Sequence, residues 1–266
     1  MTINTKMSTI GKGGTAKKLF VFDYDDTLAW NSCYYTRSKT RIVNYMVEKF
    51  FPRCPDNLDI MKDFEKRDLA NTKNYGLTTK RFTTSWLETY EHFCKEYGRT
   101  PSRSEEYRIR RMADSTFKIK KGLVEGAEET LGYLASNGDR LILLTKGDEK
   151  LQAKKIRKNS LGRWFEKDDT QIVEMSKSDA FKKIMEEAEA EYGKEGFRAY
   201  SVGNSYKSDI KPAIEAGMNG ILIPFETWAL EEEKKKEEAQ KREDIESGKL
   251  LVLDSLPELV EHYKEF

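Results

Sequence analysis

Two rhythms alternate along this chain. Short apolar runs end abruptly in polar or acidic residues, and between them lie longer stretches whose apolar positions recur three and four apart. The first run, Leu19 to Phe22, passes straight into Asp23, Tyr24, Asp25, Asp26 and Thr27. So short a run, with β-branched and aromatic weight, predicts a buried parallel strand whose C-terminal end presents carboxylates at the rim of a sheet. The same signal returns at Leu141 to Leu144, Gln171 to Met175, Ala199 to Val202 and Ile221 to Ile223, with a short edge strand at Leu250 to Leu253. Ala127, Leu131, Leu134 and Ala135 mark a helix stopped by Asn137 and Gly138, and Phe181, Ile184, Met185, Ala188 and Tyr192 mark another. A closing helix is expected over Leu256 to Tyr263. This alternation predicts an α/β protein with a doubly wound, Rossmann-like parallel sheet.

Residues 30–121 break the rhythm. Ile42, Val43, Met46, Val47 and Phe50 recur at helical spacing, as do Phe82, Trp86, Tyr90, Phe93 and Tyr97, and a further helix is expected from Ser102, with Glu105 completing a capping box behind Pro101. No strand signal interrupts them. A helical block of about ninety residues is too long for an ordinary crossover and predicts an inserted domain. Its aromatic stripe is expected to form its own core. Trp30, Tyr34, Tyr35 and Arg37, just behind the first acidic cluster, are the weaker candidates for touching a substrate. The organisation expected is a flexible leader at 1–18, an α/β core made of 19–29 and 122–266, and a helical insert at 30–121.

Charge adds little to this picture and removes several alternatives. The 266 residues carry 47 basic and 46 acidic side chains, so no net field favours nucleic acid or an anionic membrane. No apolar run approaches the roughly 20 residues of a membrane span, and the start of the chain lacks the apolar core of a signal peptide. The basic stretch Lys150 to Lys158 has no interleaved aromatics and predicts an ordinary surface helix, while Glu231 to Asp244 predicts a solvated helix with paired charges. Neither a nucleic-acid nor a membrane partner is expected. Cys33, Cys54 and Cys94 are odd in number and lack C-x-x-C spacing, which fits reduced thiols in a cytoplasmic protein. His92 and His262 both fall inside helical patterns, leaving little for a histidine triad or a zinc site. GKGG at Gly11 to Gly14 has neither the spacing nor the strand of a phosphate loop. Nothing in the pattern sets an oligomeric state.

The chemistry gathers at the first strand end. Three acids within four positions repel one another, and a hard cation bound by oxygen ligands would offset that repulsion. Residues two apart leaving a strand share a side, so Asp23 and Asp25 can both face a reacting group while Tyr24 points away. One carboxylate can then attack phosphorus with Mg²⁺ assistance while the other passes a proton to and from the leaving oxygen.

The stretch FDYDDTL resembles motif I of the haloacid dehalogenase superfamily. The resemblance implies Asp23 as the nucleophile that forms an aspartyl-phosphate and Asp25 as general acid and base. Asp26 stands where many relatives have Gly, and the second acid, which the dehalogenase branch lacks, points to phosphoryl transfer. LLT, ending at Thr145, is similar to motif II and implies a hydroxyl on the phosphate, with Lys146 read as a solvated neighbour. Lys177 takes the place of motif III, steadying the phosphate and the nucleophile's charge; it precedes a helix N-terminus, which favours it over Lys182 and Lys183. Gly203 to Asp209 is similar to motif IV, with Asn204 replacing the usual first Asp and Ser208 expected to cap the following helix.

Together these motifs imply Mg²⁺ held by Asp23, Asp25 through its carbonyl, Asn204 and Asp209, and a phosphate met by Thr145, Lys177 and backbone N–H groups near Asp25 and Asp26. The insert takes the position of a type 1 helical cap, which folds over the active site in relatives. The function implied is a Mg²⁺-dependent phosphatase acting on a small phosphorylated metabolite. The alternatives are a phosphotransferase or phosphomutase using the same intermediate, and a phosphate-binding protein with weak turnover, which the Asn204 replacement keeps open.

Overall fold

In the computed structural model, residues 16–119, 121–225 and 231–266 are described, the side chains of 231–236 excepted. Taking the described residues, two compact units emerge, one from 16–30, 121–146, 156–225 and 231–266, the other from 31–119 and 147–155. In chain order the elements are β1 (Lys17–Phe22), α1 (Ser32–Phe50), α2 (Asn57–Tyr75), α3 (Thr79–Glu96), α4 (Arg103–Asp114), α5 (Ala127–Ser136), β2 (Arg140–Lys146) and α6 (Glu149–Lys158). There follow β3 (Thr170–Val173), α7 (Ser178–Tyr192), β4 (Phe197–Gly203), α8 (Lys211–Glu215), β5 (Asn219–Leu222), α9 (Glu231–Glu246), β6 (Leu250–Val252) and α10 (Leu256–Glu261).

The strands form one sheet in the order β3, β2, β1, β4, β5, β6, with every neighbouring pair parallel. This is the doubly wound α/β architecture. From β1 the chain fills one half of the sheet with β2 and β3, then returns to lay β4 against the other side of β1. Sheets of this kind bind ligands at that reversal, outside the carboxyl ends of the strands. The ends that flank it here belong to β1 and β4.

Register and pleat explain why β1 reads as an unbroken apolar run. Phe22 stands beside Leu143 of β2 and Val202 of β4. Leu19 and Val21 enter one core with Ile142, Leu144, Phe181 and Ile184, whereas Phe20, Phe22 and Tyr24 enter another with Leu131, Leu134, Leu141 and Leu143. A fully buried side chain of this size contributes about 1.5–3 kcal/mol relative to exposure. A strand buried on both faces therefore has no place for polar alternation.

The strand also begins earlier than expected, since Lys17 and Lys18 belong to it and not to a leader. The Lys17 N–H donates to Gly196 O at 2.9 Å, and Lys18 lays its ammonium 3.6 Å from the centre of the Tyr263 ring. Their long stems cover apolar surface while their charges stay near water. The rest of the expected leader, with GKGG, lies outside the described residues. At one edge of the sheet β3 stops at Val173, short of the exposed Met175.

The second unit has its own core. Ile42, Val43, Met46 and Phe50 of α1 meet Ile60 and Phe64 of α2 and Phe82, Trp86, Tyr90 and Phe93 of α3, with Val47 and Tyr97 packed at the margin. Phe64 stacks on Trp86 with ring centres 4.0 Å apart, and Tyr35 sets its ring edge-on to Phe82 at 5.1 Å. Ser102 does precede α4, but the capping box does not form. Glu105 instead accepts from Tyr90 Oη at 2.6 Å and from Arg99 at 3.2 Å, while the Ser102 hydroxyl pairs with Ser104. Phenol and guanidinium donors to a carboxylate outweigh a backbone N–H at an exposed helix start.

Gly147–Lys155, expected in the α/β core, groups with the helical unit, where Lys155 Nζ donates to Asn31 Oδ1 at 3.1 Å. Among the described side chains of α9, Asp244 departs from the solvated pattern: it is buried and accepts from the Tyr206 hydroxyl.

Candidate active site

Asp23 directly follows β1, and its N–H donates to Val202 O on β4 at 2.9 Å, which fixes it at the reversal of strand order. Lys177, the residue before α7, is 3% exposed and sets its Nζ 2.6 Å from Asp23 Oδ1 and 2.8 Å from Asp209 Oδ1. Three residues from three distant parts of the sequence thus meet as one buried array of two carboxylates around an ammonium. Burial pushes the Asp23 carboxyl up to about 7, with Lys177 opposing and Asp209 adding to the shift. For Lys177 burial pulls the other way, but the two carboxylates outweigh it and hold the ammonium above its ordinary pKa. Buried charge clusters of this kind concentrate at functional sites, which makes this one the candidate site.

Thr27, to which sequence reasoning assigns no separate role, links this array to the fourth motif. Its Oγ1 lies 3.3 Å from Asp23 Oδ2 and 3.4 Å from Asn204 Oδ1. The signal was its fixed place in D-x-D-x-T. Beyond Asn204 the chain winds through a π-turn, Tyr206–Ile210, a form frequent at functional sites. There Asp209 Oδ2 accepts the Ser205 N–H at 2.9 Å and its carbonyl accepts from Ser201 Oγ at 2.8 Å. Ser208 does not cap the following helix, whose N-cap position is Ile210 with no side-chain cap; Ser205 caps the π-turn instead, its Oγ accepting the Ser208 N–H at 3.2 Å.

Asp25, half-buried, adds its charge to the upward push on Asp23. Tyr24 points away as expected, into the core, where its hydroxyl accepts from Asn159 Nδ2 at 2.7 Å. Asp26 adopts φ of 62°, in the left-handed region that glycine favours and aspartate tolerates. Its N–H, expected to face phosphate, donates to Ala29 O at 2.8 Å instead, closing the turn after β1.

Thr145 is fully buried near the end of β2. The next residue corrects the sequence reading. Lys146 is half-buried, not solvated: burial and the charge of Lys177 lower its pKa, while Asp209 and Asp23 pull it upward. Of the weaker candidates, Trp30 is 43% exposed and packs 5.9 Å from the Phe225 ring, whereas Tyr35 belongs to the core of the helical unit.

Among the described residues, no three His, Cys, Asp or Glu side chains are arranged to hold a metal. What converges instead is an all-oxygen set, the carboxylates of Asp23 and Asp209 and the amide of Asn204, which fits a hard cation such as Mg²⁺ and does not fit zinc.

Comparisons with known proteins bear on the family and the fold. The family model for haloacid dehalogenase-like hydrolases matches residues 17–217. Among solved structures, the chain is similar to a haloacid dehalogenase-like family hydrolase from Xanthomonas campestris at 22% identity and TM-score 0.66, over 92% of this chain and 99% of that one. A Thermotoga maritima protein assigned as a β-phosphoglucomutase gives 14% identity and 0.55 over 93% and 99% of the two chains. One from Haemophilus somnus assigned as a phosphoglycolate phosphatase gives 15% and 0.51 over 94% and 100%. At these identities the structural likeness is one of fold. No curated protein sequence matches the chain.

Proposed function

The chain belongs to the haloacid dehalogenase-like hydrolases, and we propose that within this family it is a Mg²⁺-dependent phosphatase of a small phosphorylated metabolite. The observation that carries this reading is the buried array of Asp23, Lys177 and Asp209 at the reversal of strand order. Asp23 attacks phosphorus through a carboxylate oxygen, forming an aspartyl-phosphate while the bond to the leaving oxygen breaks and Asp25 protonates that oxygen. Asp25, now a base, takes a proton from water as the water attacks the phosphorus and frees Asp23. Lys177 holds the Asp23 carboxylate in one rotamer and offsets charge as the phosphate arrives, and Thr145 offers a hydroxyl to it. Mg²⁺, held by Asp23, the Asp25 carbonyl, Asn204 and Asp209, would neutralise charge on the transferring phosphoryl group.

Two further assignments belong to this reading. The helical unit α1–α4 acts as the cap that selects the leaving group. The location is the cytoplasm, supported by cysteines free of disulfides; among the described residues no helix is long and apolar enough to cross a membrane.

The test is phosphate release from a panel of phosphorylated metabolites with and without Mg²⁺. Release that needs the metal is expected. Transfer to a sugar hydroxyl in place of water would make the chain a phosphotransferase, and phosphate bound without turnover would make it a binding protein.

A further inference from the structure

The array around Lys177 leaves a charge problem that a phosphate must face. The ammonium already answers two carboxylates, at 2.6 and 2.8 Å, while Asp25 and Asp26 stand close by in the chain. Beside any Mg²⁺ held there, a dianion arriving at this acid-rich strand end would gain from a further cation on the protein. The sheet supplies one. Val21 of β1 is in register with Ile142 of β2, and both enter the same core together with Leu144. Alternation along the two strands then puts Asp23, two residues beyond Val21, and Lys146, two beyond Leu144, on the same face of the sheet. Lys146 is the last residue of β2, at the carboxyl end beside β1, and it is half-buried there.

We propose that Lys146 is a substrate-binding residue, a second cation that holds the phosphate dianion at the mouth of β1 and β2 while Lys177 holds the nucleophile. The inference rests on the phosphatase reading and assigns to Lys146 a contact which that reading does not require. The lowered pKa of Lys146 accords with it, since part of its hydration is already gone and Lys177 lies near enough to act on it. A desolvated ammonium gains more from an incoming anion than a solvated one does. Lys207, exposed on the π-turn, also acts on Lys146 and serves as the comparison for a general loss of positive charge.

The experiment compares wild type with Lys146→Met, Lys146→Arg and Lys207→Met, using inorganic phosphate as the probe. A charge-assisted contact of this kind is worth about ten- to a hundredfold in affinity. Lys146→Met should raise the inhibition constant for phosphate and the KM by that factor, with a smaller change in kcat. Lys146→Arg should keep most of the affinity, and Lys207→Met should stay within about threefold of wild type. Unchanged phosphate affinity in Lys146→Met, or equal losses in Lys146→Met and Lys207→Met, would overturn the assignment while leaving the phosphatase reading in place. A wild type that neither releases nor binds phosphate would overturn both.

Discussion

Gly203 leaves the space that the Asp209 side chain fills. A Cβ built on Gly203 would stand 2.4 Å from Asp209 Cβ and 2.7 Å from Oδ2, closer than real atoms approach. Because that carboxylate is held by Lys177 at Oδ1 and by the Ser205 N–H at Oδ2, it cannot simply move aside. Gly203→Ala should therefore lose about 1–3 kcal/mol of stability, the usual cost of overpacking. It should also lose most phosphate release, since the array must shift to admit the methyl group. Urea unfolding and an activity assay read the two effects, and a variant with wild-type values in both would show that Asp209 has room to move.

Replacing Asp23 separates chemistry from architecture. Asp23→Asn keeps the shape and an oxygen for Lys177 but removes the nucleophile, so turnover should fall by on the order of 10³ or more, as when a covalent nucleophile is removed elsewhere. Circular dichroism should match wild type. Phosphate release near the wild-type rate would exclude an aspartyl-phosphate at this residue.

Lys177 tests the electrostatics directly. Lys177→Met leaves two carboxylates buried together without their cation, and breaking a buried ion cluster by removing one partner costs about 3–5 kcal/mol. A fall of that size in unfolding free energy is expected. A loss under about 1 kcal/mol would mean that the carboxylates find another way to be neutralised, such as taking up a proton.

Which parts of this arrangement were legible in the sequence follows from where the information sits. Asp23 was legible because it closes an apolar strand after Phe22 and Lys177 because it opens a helix before Phe181, whereas Asp209, in the π-turn beyond Gly203, was reached only through the resemblance to the fourth motif. Chain order then supplied the partners. Helix α2 was not legible, because its buried face combines Ile60 and Phe64 with the polar Asn71, which is satisfied by Ser85 at 3.1 Å and Glu88 at 2.8 Å. No apolar period marks such a face. The true setting of Lys146 was hidden for a different reason: a lysine at a strand end looks solvated until the register of the neighbouring strand is known. Asp244 looked solvated as well, one acid in a charged helix, and only the fold brings the Tyr206 hydroxyl to it.

That pair gives a prediction of its own. Tyr206 sits in the π-turn that carries Asp209, and its hydroxyl donates to the buried Asp244 on α9. Tyr206→Phe removes the donor and leaves a buried carboxylate oxygen short of a partner, which costs about 1–3 kcal/mol. Thermal unfolding should show it. In Tyr206→Phe with Asp244→Leu the loss should shrink, because removing both polar partners removes the unpaired group. A double variant less stable than the single one by a full further increment would mean that the two side chains act separately.

The last prediction turns on Asn204, an amide where the resemblance implies an acid. Its amide oxygen lies 3.4 Å from the Thr27 hydroxyl, which is also 3.3 Å from Asp23 Oδ2, so one hydroxyl bridges residue 204 and the second carboxylate oxygen of Asp23. If a hard cation binds here, a neutral amide holds it with one less charge than an acid would. Asn204→Asp should tighten Mg²⁺ binding through Coulomb attraction and raise activity when Mg²⁺ is limiting. At saturating Mg²⁺ the gain should vanish or reverse, because a further acid beside Asp23 also repels the incoming phosphate. Asp209→Asn should shift the Mg²⁺ dependence the opposite way and also take a partner from Lys177, so its stability should fall while that of Asn204→Asp changes less. Titrating activity against Mg²⁺ for both variants beside wild type decides the matter: curves with the same midpoint in all three would place the cation away from residues 204 and 209.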